Sequence, residues 1–190
     1  MKRFLILGLP RSRTAWLANF LTTDRSFCDH DASGQATSFE SVFRPLSRPY
    51  DYHGVADTGL AVLGDSLPSD LPIVLIVRPF EEAYRSTLAV LPKHDPRTVR
   101  SSMEAVMAGL GELRPRAALV FPYEDLEFPS VVREIQRVCM PTIPWDPNRY
   151  ELLRDLRVVV NPERCLEQFS QDSIDWLRAG IERKAVRHVH

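Results

Sequence analysis

The sequence predicts a three-layer α/β fold, in which a mostly parallel central sheet carries helices on both faces. Three short apolar runs, at residues 3–9, 72–77 and 117–121, have the length of strands and alternate with segments of helical periodicity. The run 72–77 shows no polar alternation, which is typical of a parallel strand covered on both faces. Strands that alternate with helices in this way favour an open parallel sheet.

The first third of the chain contains the least regular part of the pattern. After the strand at 3–9, the segment 13–22 predicts a helix because its apolar residues lie on related faces. Residues 29–53 combine Gly, Pro, Ser and several aromatic residues, and predict a loop, whereas 54–58 predict a short strand.

Later helices are predicted from residues that favour a helix start. Proline suits the first turn of a helix, and a hydroxyl or carboxylate side chain suits the position before it. The expected markers are Pro79 after the strand 72–77, Thr98 for a helix that Pro115 ends, Ser130 for the next helix, and Asp172 or Ser173 for the last.

The bulk properties predict one soluble domain over residues 1–190. The net charge of −1 gives no basic field that would favour nucleic acid or a membrane surface. No apolar run reaches the length of a membrane span, and the N-terminus lacks the pattern of a signal peptide. Cys28, Cys139 and Cys165 are widely spaced, so free thiols in the cytoplasm are expected rather than a structural metal site.

The segment 4–17 predicts a site for an anion. An apolar strand ends in Gly-x-Pro, crosses a short turn and enters a helix. Such a turn directs free backbone N–H groups at one point, where the helix dipole adds partial positive charge. Full charges and hydroxyl donors are added by Arg11, Arg13, Ser12 and Thr14.

The turn differs from the usual phosphate loop of nucleotide hydrolases. That loop has the pattern G-x-x-x-x-G-K-[ST], in which Lys binds the outer phosphates and the hydroxyl binds Mg²⁺. Aligned on Gly8, the pattern requires Gly, Lys and a hydroxyl where the chain has Arg13, Thr14 and Ala15. The turn therefore predicts phosphate binding without the groups for splitting a nucleoside triphosphate.

Three segments together resemble the sulfotransferase family, and most closely its short bacterial and phage-type members. Residues 8–17, Gly-Leu-Pro-Arg-Ser-Arg-Thr-Ala-Trp-Leu, resemble the family's 5′-phosphosulfate loop. Residues 75–86 resemble its 3′-phosphate motif, with Arg78 and Ser86 at the family's spacing of eight. Residues 119–126 are similar to a later strand that ends in Tyr-Glu-Asp-Leu. The resemblance implies a P-loop-like fold of the sulfotransferase type.

The resemblance also implies an activity and a set of site residues. These enzymes move a sulfuryl group from 3′-phosphoadenosine-5′-phosphosulfate (PAPS) to a hydroxyl or amine, which leaves adenosine 3′,5′-bisphosphate; no metal is implied. Arg11 would act electrostatically on the leaving group, and Arg78 and Ser86 would bind the 3′-phosphate. The loop residues implied in cofactor binding are Pro10, Arg11, Ser12, Arg13, Thr14, Ala15 and Trp16.

Two of these loop positions have a second interpretation. Trp16 aligns with the family's aromatic residue near adenine, but it also suits a core tryptophan. Arg13 stands where the family usually has Gly. If the loop requires a positive φ at that position, a residue with a Cβ costs roughly 1 kcal/mol or more. Alternatively, the loop differs slightly in shape, or Arg13 adds a contact to phosphate or substrate.

Transfer to a hydroxyl requires a base, and the family places one at the end of a neighbouring strand. His30 and Asp31 are the first candidates because they follow the first helix and because His titrates near neutral pH. His30 also suits an ordinary surface loop. Asp57 is the third candidate, with a turn-forming role before Thr-Gly as its alternative.

The acceptor is expected in the variable region 29–71. The aromatic side chains there suit a pocket for a small molecule, sugar or peptide, or they complete the core; they are Phe39, Phe43, Tyr50 and Tyr52. Two other functional classes remain open at this point. One is a P-loop nucleotide kinase or hydrolase, and the other is a non-catalytic module that binds adenosine bisphosphate.

Overall fold

A five-stranded sheet forms the centre of the protein, and all of its strands are parallel. The computed structural model describes residues 1–156, 158, 167 and 169–187. The strands are β1 (Lys2–Gly8), β2 (Ser26–His30), β3 (Tyr52–Asp57), β4 (Ile73–Val77) and β5 (Leu119–Pro122). Their order is β2-β3-β1-β4-β5. The predicted α/β fold with a parallel central sheet and surrounding helices is confirmed.

Strand β1 lies in the middle of the sheet because its sequence is apolar on both faces. Its residues from Phe4 to Leu7 are completely buried. Leu5 pairs with Val55 of β3 on one side and with Ile73 of β4 on the other. Since every strand runs in the same direction, all carboxyl ends meet at one edge, which is where ligands bind in open α/β sheets.

Helices cover the sheet and bury two separate groups of apolar side chains. They are α1 (Thr14–Leu21), α2 (Phe39–Val42), α3 (Phe80–Val90), α4 (Pro96–Leu113), α5 (Pro129–Cys139), α6 (Pro147–Leu153) and α7 (Gln171–Arg187). One core includes side chains of α3 and α4, and the other includes side chains of α1, α5 and α6. Short 3-10 turns at Ala32–Gln35 and Gly59–Ser66 follow β2 and β3.

Glycine at position 54 allows β1 and β3 to pair with a large aromatic ring between them. A Cβ at Gly54 would lie 2.0 Å from Cζ of Phe4, a distance that real atoms do not adopt. Phe4 is completely buried and pairs directly with Gly54 across the two strands. The missing side chain is therefore what makes room for the Phe4 ring.

The observed elements follow most of the sequence-based predictions. The strands expected at 3–9, 54–58, 72–77 and 117–121 correspond to β1, β3, β4 and β5, and the helix expected at 13–22 corresponds to α1. The helix start after Pro79, the end of α4 before Pro115 and the presence of a late helix also agree, although α7 begins at Gln171, one residue before the expected Asp172. These elements carry strong local signals, which are apolar runs and proline positions.

Strand β2 and two helix caps were not predicted correctly. Most of 29–53 is irregular, but β2 extends to His30 at the sheet edge. Its sequence, Ser-Phe-Cys-Asp-His, lacks an apolar run because an edge strand is only half covered. The α4 cap is Asp95, whose carboxylate accepts from both the backbone N and Oγ1 of Thr98. Helix α5 begins at Pro129, so Ser130 lies inside it.

Three of the four aromatic residues of the variable region agree with the core interpretation. Phe43 and Tyr52 are buried in the core, and Phe39 packs against it. Tyr50 is only partly buried, and its ring lies at a tilted angle to that of Phe27, with 6.0 Å between the centroids. Cys165 lies outside the described residues. Across the part of the chain that the structure describes, none of the helices combines the length and apolar character that crossing a membrane requires.

Candidate active site

The turn between β1 and α1 has the backbone conformation of an anion-binding loop. Arg11 and Arg13 adopt left-handed conformations, with φ of 66° and 62°. Gly8 starts the turn where a Cβ would lie 2.8 Å from the carbonyl oxygen of Ile76 in β4. Residues that include left-handed conformations turn successive N–H groups toward one point. Arg13 thus has the positive φ at which a residue with a Cβ is strained.

Several donor groups of this turn have no hydrogen-bond partner among the described residues. In the described part of the chain, the backbone N–H groups from Ser12 to Trp16 make no backbone hydrogen bond. The hydroxyl oxygen of Ser12 is buried and has no hydrogen-bond partner among the described residues. Buried polar groups are normally paired, so unpaired donors around a helix N-terminus fit an anionic ligand.

Arg78 follows β4 and reaches the turn directly. Its Nη1 donates a hydrogen bond of 2.5 Å to the carbonyl oxygen of Arg11. The guanidinium lies 4.3 Å from the ring centroid of Tyr123, which follows β5. Its Nε lies 4.0 Å from Oε2 of Glu82 but forms no hydrogen bond within the described residues. Stacking and the Arg11 contact hold the cation at the carboxyl edge of the sheet, with Nε–H unpaired among the described residues.

Ser86 completes a cluster with the two arginines. It lies in α3, and its hydroxyl oxygen accepts a hydrogen bond of 3.3 Å from Nε of Arg11. Arg11 is otherwise exposed to solvent. The structure thus brings together three residues that the sequence motifs assigned separately to the 5′ and 3′ ends of one nucleotide.

The remaining loop residues have different surroundings. Arg13 is half-buried, with Nη2 3.9 Å from Oε1 of Glu127. Trp16 is buried, stacks on Phe20 at a centroid distance of 5.4 Å and donates from Nε1 to the carbonyl oxygen of Leu153. Trp16 therefore fills the core, which agrees with its second interpretation.

Pro10 and Ala15 are partly buried and offer the turn no side-chain donor. An anion in the turn would therefore meet only the backbone of these two residues. For Ala15 this includes the free N–H in the first turn of α1.

His30 and Asp31 lie at the end of β2, next to the turn. Nε2 of His30 is 3.3 Å from Oγ1 of Thr14, and Nδ1 of His30 is 3.3 Å from Oδ2 of Asp31. Asp31 has a φ of 51°, and its Oδ1 is buried with no hydrogen-bond partner among the described residues. The imidazole therefore spans the distance between a carboxylate and the predicted phosphate loop.

Burial sets the protonation of this pair. Burial lowers the pKa of His30 below its usual 6.5, and the nearby Asp57 and Asp29 carboxylates oppose this change. Burial also raises the pKa of Asp31 to about 6, against the backbone N–H of Thr58, which lowers it. At pH 7 the imidazole is neutral and the Asp31 carboxylate is mostly ionised. A neutral imidazole beside a carboxylate is the arrangement of a general base.

Asp57 is completely buried, and both of its carboxylate oxygens are engaged. Oδ2 accepts from the backbone N of Ser33, and Oδ1 accepts from Oγ of Ser33 and the backbone N of Leu60. Burial raises its pKa to about 6, and the Asp31 charge adds to this. These contacts agree with its turn-forming alternative, because they fasten the 3-10 turns that follow β2 and β3.

The turn after Asp31 is also held from the C-terminal side. The carbonyl oxygen of Gly34 accepts from the backbone N of Ser170 and from Oγ of Ser173 in α7. A Cβ at Gly34 would lie 3.3 Å from the ring of Phe169. The segment before α7 and the start of α7 therefore support the turn that follows the His30–Asp31 pair.

An apolar cavity of about 230 Å³ lies beside Arg78. Arg78 lines one part of it. Apolar side chains of β4 and α4 line most of the rest, and they include Leu75, Val77, Met107 and Leu110. An apolar part of a ligand would fit next to the arginine cation there.

Some site features carried no clear signal in the sequence. Tyr123, which stacks on Arg78, belongs to the Tyr-Glu-Asp-Leu segment, and the sequence motif assigned no role to this tyrosine. The contact between Thr14 and His30 depends on the position of β2, which was not predicted. No group of three or more His, Cys, Asp or Glu suitable for a metal ion occurs among the described residues.

Neither a scan against models of protein families nor a search of curated proteins finds a match to this chain.

Proposed function

We propose that this protein is a sulfotransferase that moves a sulfuryl group from PAPS to an acceptor hydroxyl or amine. One observation carries the proposal: the Arg78 guanidinium is hydrogen-bonded to the main chain of the Arg11 turn. The residues predicted to bind the two phosphates are therefore in direct contact, which would suit a nucleotide with phosphates at both its 5′ and 3′ positions.

The residues present fit such a ligand. The free N–H groups and the unpaired Ser12 hydroxyl offer donors for the 5′-phosphate. The unpaired Nε of Arg78 and the Ser86 hydroxyl offer donors for the 3′-phosphate, since guanidinium groups suit phosphate oxygens. When bound, PAPS would supply the sulfuryl group: the acceptor atom bonds to sulfur as the bond from sulfur to the bridging phosphate oxygen breaks.

Arg11 and His30 would carry the chemistry on the protein side. Arg11 is exposed at the turn and would offset the negative charge that accumulates on the leaving phosphate. His30 would take the acceptor proton at Nε2, the nitrogen that faces the turn. The Asp31 carboxylate lies 3.3 Å from Nδ1 of His30. It would keep the proton of the neutral ring on Nδ1 and stabilise the imidazolium once Nε2 has taken the acceptor proton. Asp57 remains a third candidate base, although its oxygens are engaged.

Calorimetry with adenosine 3′,5′-bisphosphate and with ATP tests the proposal. We expect the bisphosphate to bind more tightly than ATP without Mg²⁺, and to raise the melting temperature because only the native state binds it. Arg78→Ala should lower the bisphosphate affinity about 10- to 100-fold, the effect of losing charged hydrogen bonds of about 1.5–3 kcal/mol. Arg137→Ala is the matched control, since among the described residues Arg137 pairs with Glu134 on α5 alone.

Other results would favour the alternative functions. Equal binding of both nucleotides would refute the cofactor assignment, and Mg²⁺-dependent ATP turnover would favour the kinase or hydrolase class. Bisphosphate binding without release of bisphosphate from PAPS, across phenol, sugar and peptide acceptors, would favour the non-catalytic module. If transfer is found, Arg11→Ala should lower its rate more than it lowers cofactor affinity.

A further inference from the structure

The Thr14 hydroxyl contacts the same nitrogen that would accept the substrate proton. Oγ1 of Thr14 lies 3.3 Å from Nε2 of His30. The direction of this bond follows from the other side of the ring. The Asp31 carboxylate lies 3.3 Å from Nδ1, and its negative charge when ionised favours the ring proton on that nitrogen, so Nε2 carries the lone pair. The Thr14 hydroxyl is then the donor.

The position of Thr14 also makes its hydroxyl a donor for phosphate. Thr14 is the first residue of α1 and follows the two left-handed arginines of the turn. Its side chain is nearly fully buried, so solvent offers it few other partners. A hydroxyl has one proton and donates one strong hydrogen bond at a time. A phosphate oxygen, which is charged, is a stronger acceptor than a neutral imidazole nitrogen.

We propose that Thr14 is a positioning residue that caps the His30 base until a phosphate binds in the turn. With no phosphate bound, the Thr14 hydroxyl donates to Nε2. With the 5′-phosphate bound, it donates to a phosphate oxygen and leaves Nε2 available for the acceptor hydroxyl. This inference rests on the proposed function. It gives the reaction an order, in which the nucleotide binds before the acceptor can engage the base.

Histidine NMR of the full chain tests the cap. The signals of His30 are assigned by their loss in His30→Gln, and His30 is titrated with and without saturating adenosine 3′,5′-bisphosphate. Thr14→Val removes the donor but keeps the β-branched shape, and Thr14→Ala is a second variant without the hydroxyl. Thr14→Ser keeps the hydroxyl. Thr87→Val is the matched control, because Thr87 is buried in α3 and donates to the carbonyl oxygen of Ala83.

The expected result is a difference that depends on the nucleotide. A donor to Nε2 stabilises the neutral ring, so Thr14→Val should raise the proton affinity of His30 about three- to tenfold in the free protein. With the bisphosphate bound, Thr14→Val and wild type should titrate alike. Thr14→Ser and Thr87→Val should follow wild type in both states.

Two outcomes would overturn the cap. Equal titration of wild type and both hydroxyl-free variants in the free protein would show that Thr14 does not donate to Nε2. A difference that persists at saturating bisphosphate would show that Thr14 stays on the imidazole. Failure of the proposed function is distinguishable, because it would appear in calorimetry as no bisphosphate binding to the wild-type protein and would remove the release step as well.

Discussion

The left-handed conformation of Arg13 predicts an inverted order of stability between two substitutions. Glycine tolerates a φ of 62°, whereas any residue with a Cβ pays about 1–2 kcal/mol there. Arg13→Gly and Arg13→Ala lose the same side chain and the same 3.9 Å contact with Glu127, so the pair isolates the backbone. In an ordinary helix interior, alanine is the more stable of the two.

The expected magnitude comes from two opposing contributions. The left-handed backbone makes the Gly variant more stable than the Ala variant by about 1–2 kcal/mol. The greater conformational freedom of Gly in the unfolded chain reduces this difference in unfolding free energy by about 0.4–1 kcal/mol. Arg13→Gly should therefore be more stable than Arg13→Ala by about 1 kcal/mol. For a chain of this size the difference corresponds to about 2–4 °C in melting temperature.

Urea denaturation followed by circular dichroism measures the difference, with the same pair of substitutions at Asn19 as a control. Asn19 is exposed inside α1, where the order should be the usual one and Ala should exceed Gly by about 1 kcal/mol. If Arg13→Ala proves as stable as Arg13→Gly, φ at this position is not positive. The convergence of N–H groups on one anion, which the turn argument requires, would then be wrong.

Three further predictions concern packing and pH. Gly54→Ala should lower the unfolding free energy by several kcal/mol, as in severe core overpacking, because the new Cβ would overlap the Phe4 ring. Urea denaturation measures this change, and a loss under about 1 kcal/mol would contradict the packing described. Burial lowers the pKa of His53 below its usual 6.5, and the Arg3 and Arg44 charges add to this while Asp29 opposes it. The neutral His53 ring therefore contributes fully to stability above pH 6.5, and this contribution is lost as the pH falls through the lowered pKa of the folded state. His53→Phe should reduce the loss of unfolding free energy at acidic pH. An unchanged dependence of unfolding free energy on pH would show that His53 does not cause this loss. The proposed transfer activity should fall as the pH drops through about 6, where Asp31 takes up a proton, and protonation of His30, whose pKa burial lowers from 6.5, would remove the base at acidic pH. Asp31→Asn should lower the rate and change this limb of the pH–rate profile, whereas the same profile in the variant would remove Asp31 from the proposed mechanism.

The fold was predictable where local signals were strong. The apolar runs of β1 and β4 and the proline positions around α3 and α4 gave those elements, because burial on both faces and helix-start chemistry are written in consecutive residues. Strand β2 was not predictable in the same way. It is held by pairing with β3 on one side only, and its polar residues Ser26, Asp29 and His30 conceal a strand pattern.

The candidate site divides along the same line. The clustering of Arg11, Arg78 and Ser86 follows from two motifs at carboxyl ends of neighbouring parallel strands. The contact of His30 with Thr14 required the position of β2, and the engagement of Asp57 by Ser33 required the fold of the turn between β2 and β3. Such contacts depend on tertiary structure, which spacing along the chain does not encode.

The hydrogen bonds from Ser170 and Ser173 to the Gly34 carbonyl have a practical consequence for shortened forms of the chain. Ending the protein before residue 169 would remove both donors and the Phe169 ring, and would leave that carbonyl to water. The turn that follows the proposed catalytic pair at the end of β2 would then lose these supporting contacts, although no residue of the proposed site had been deleted. Terminal truncation would thus produce the same symptoms as a defect in the proposed active site.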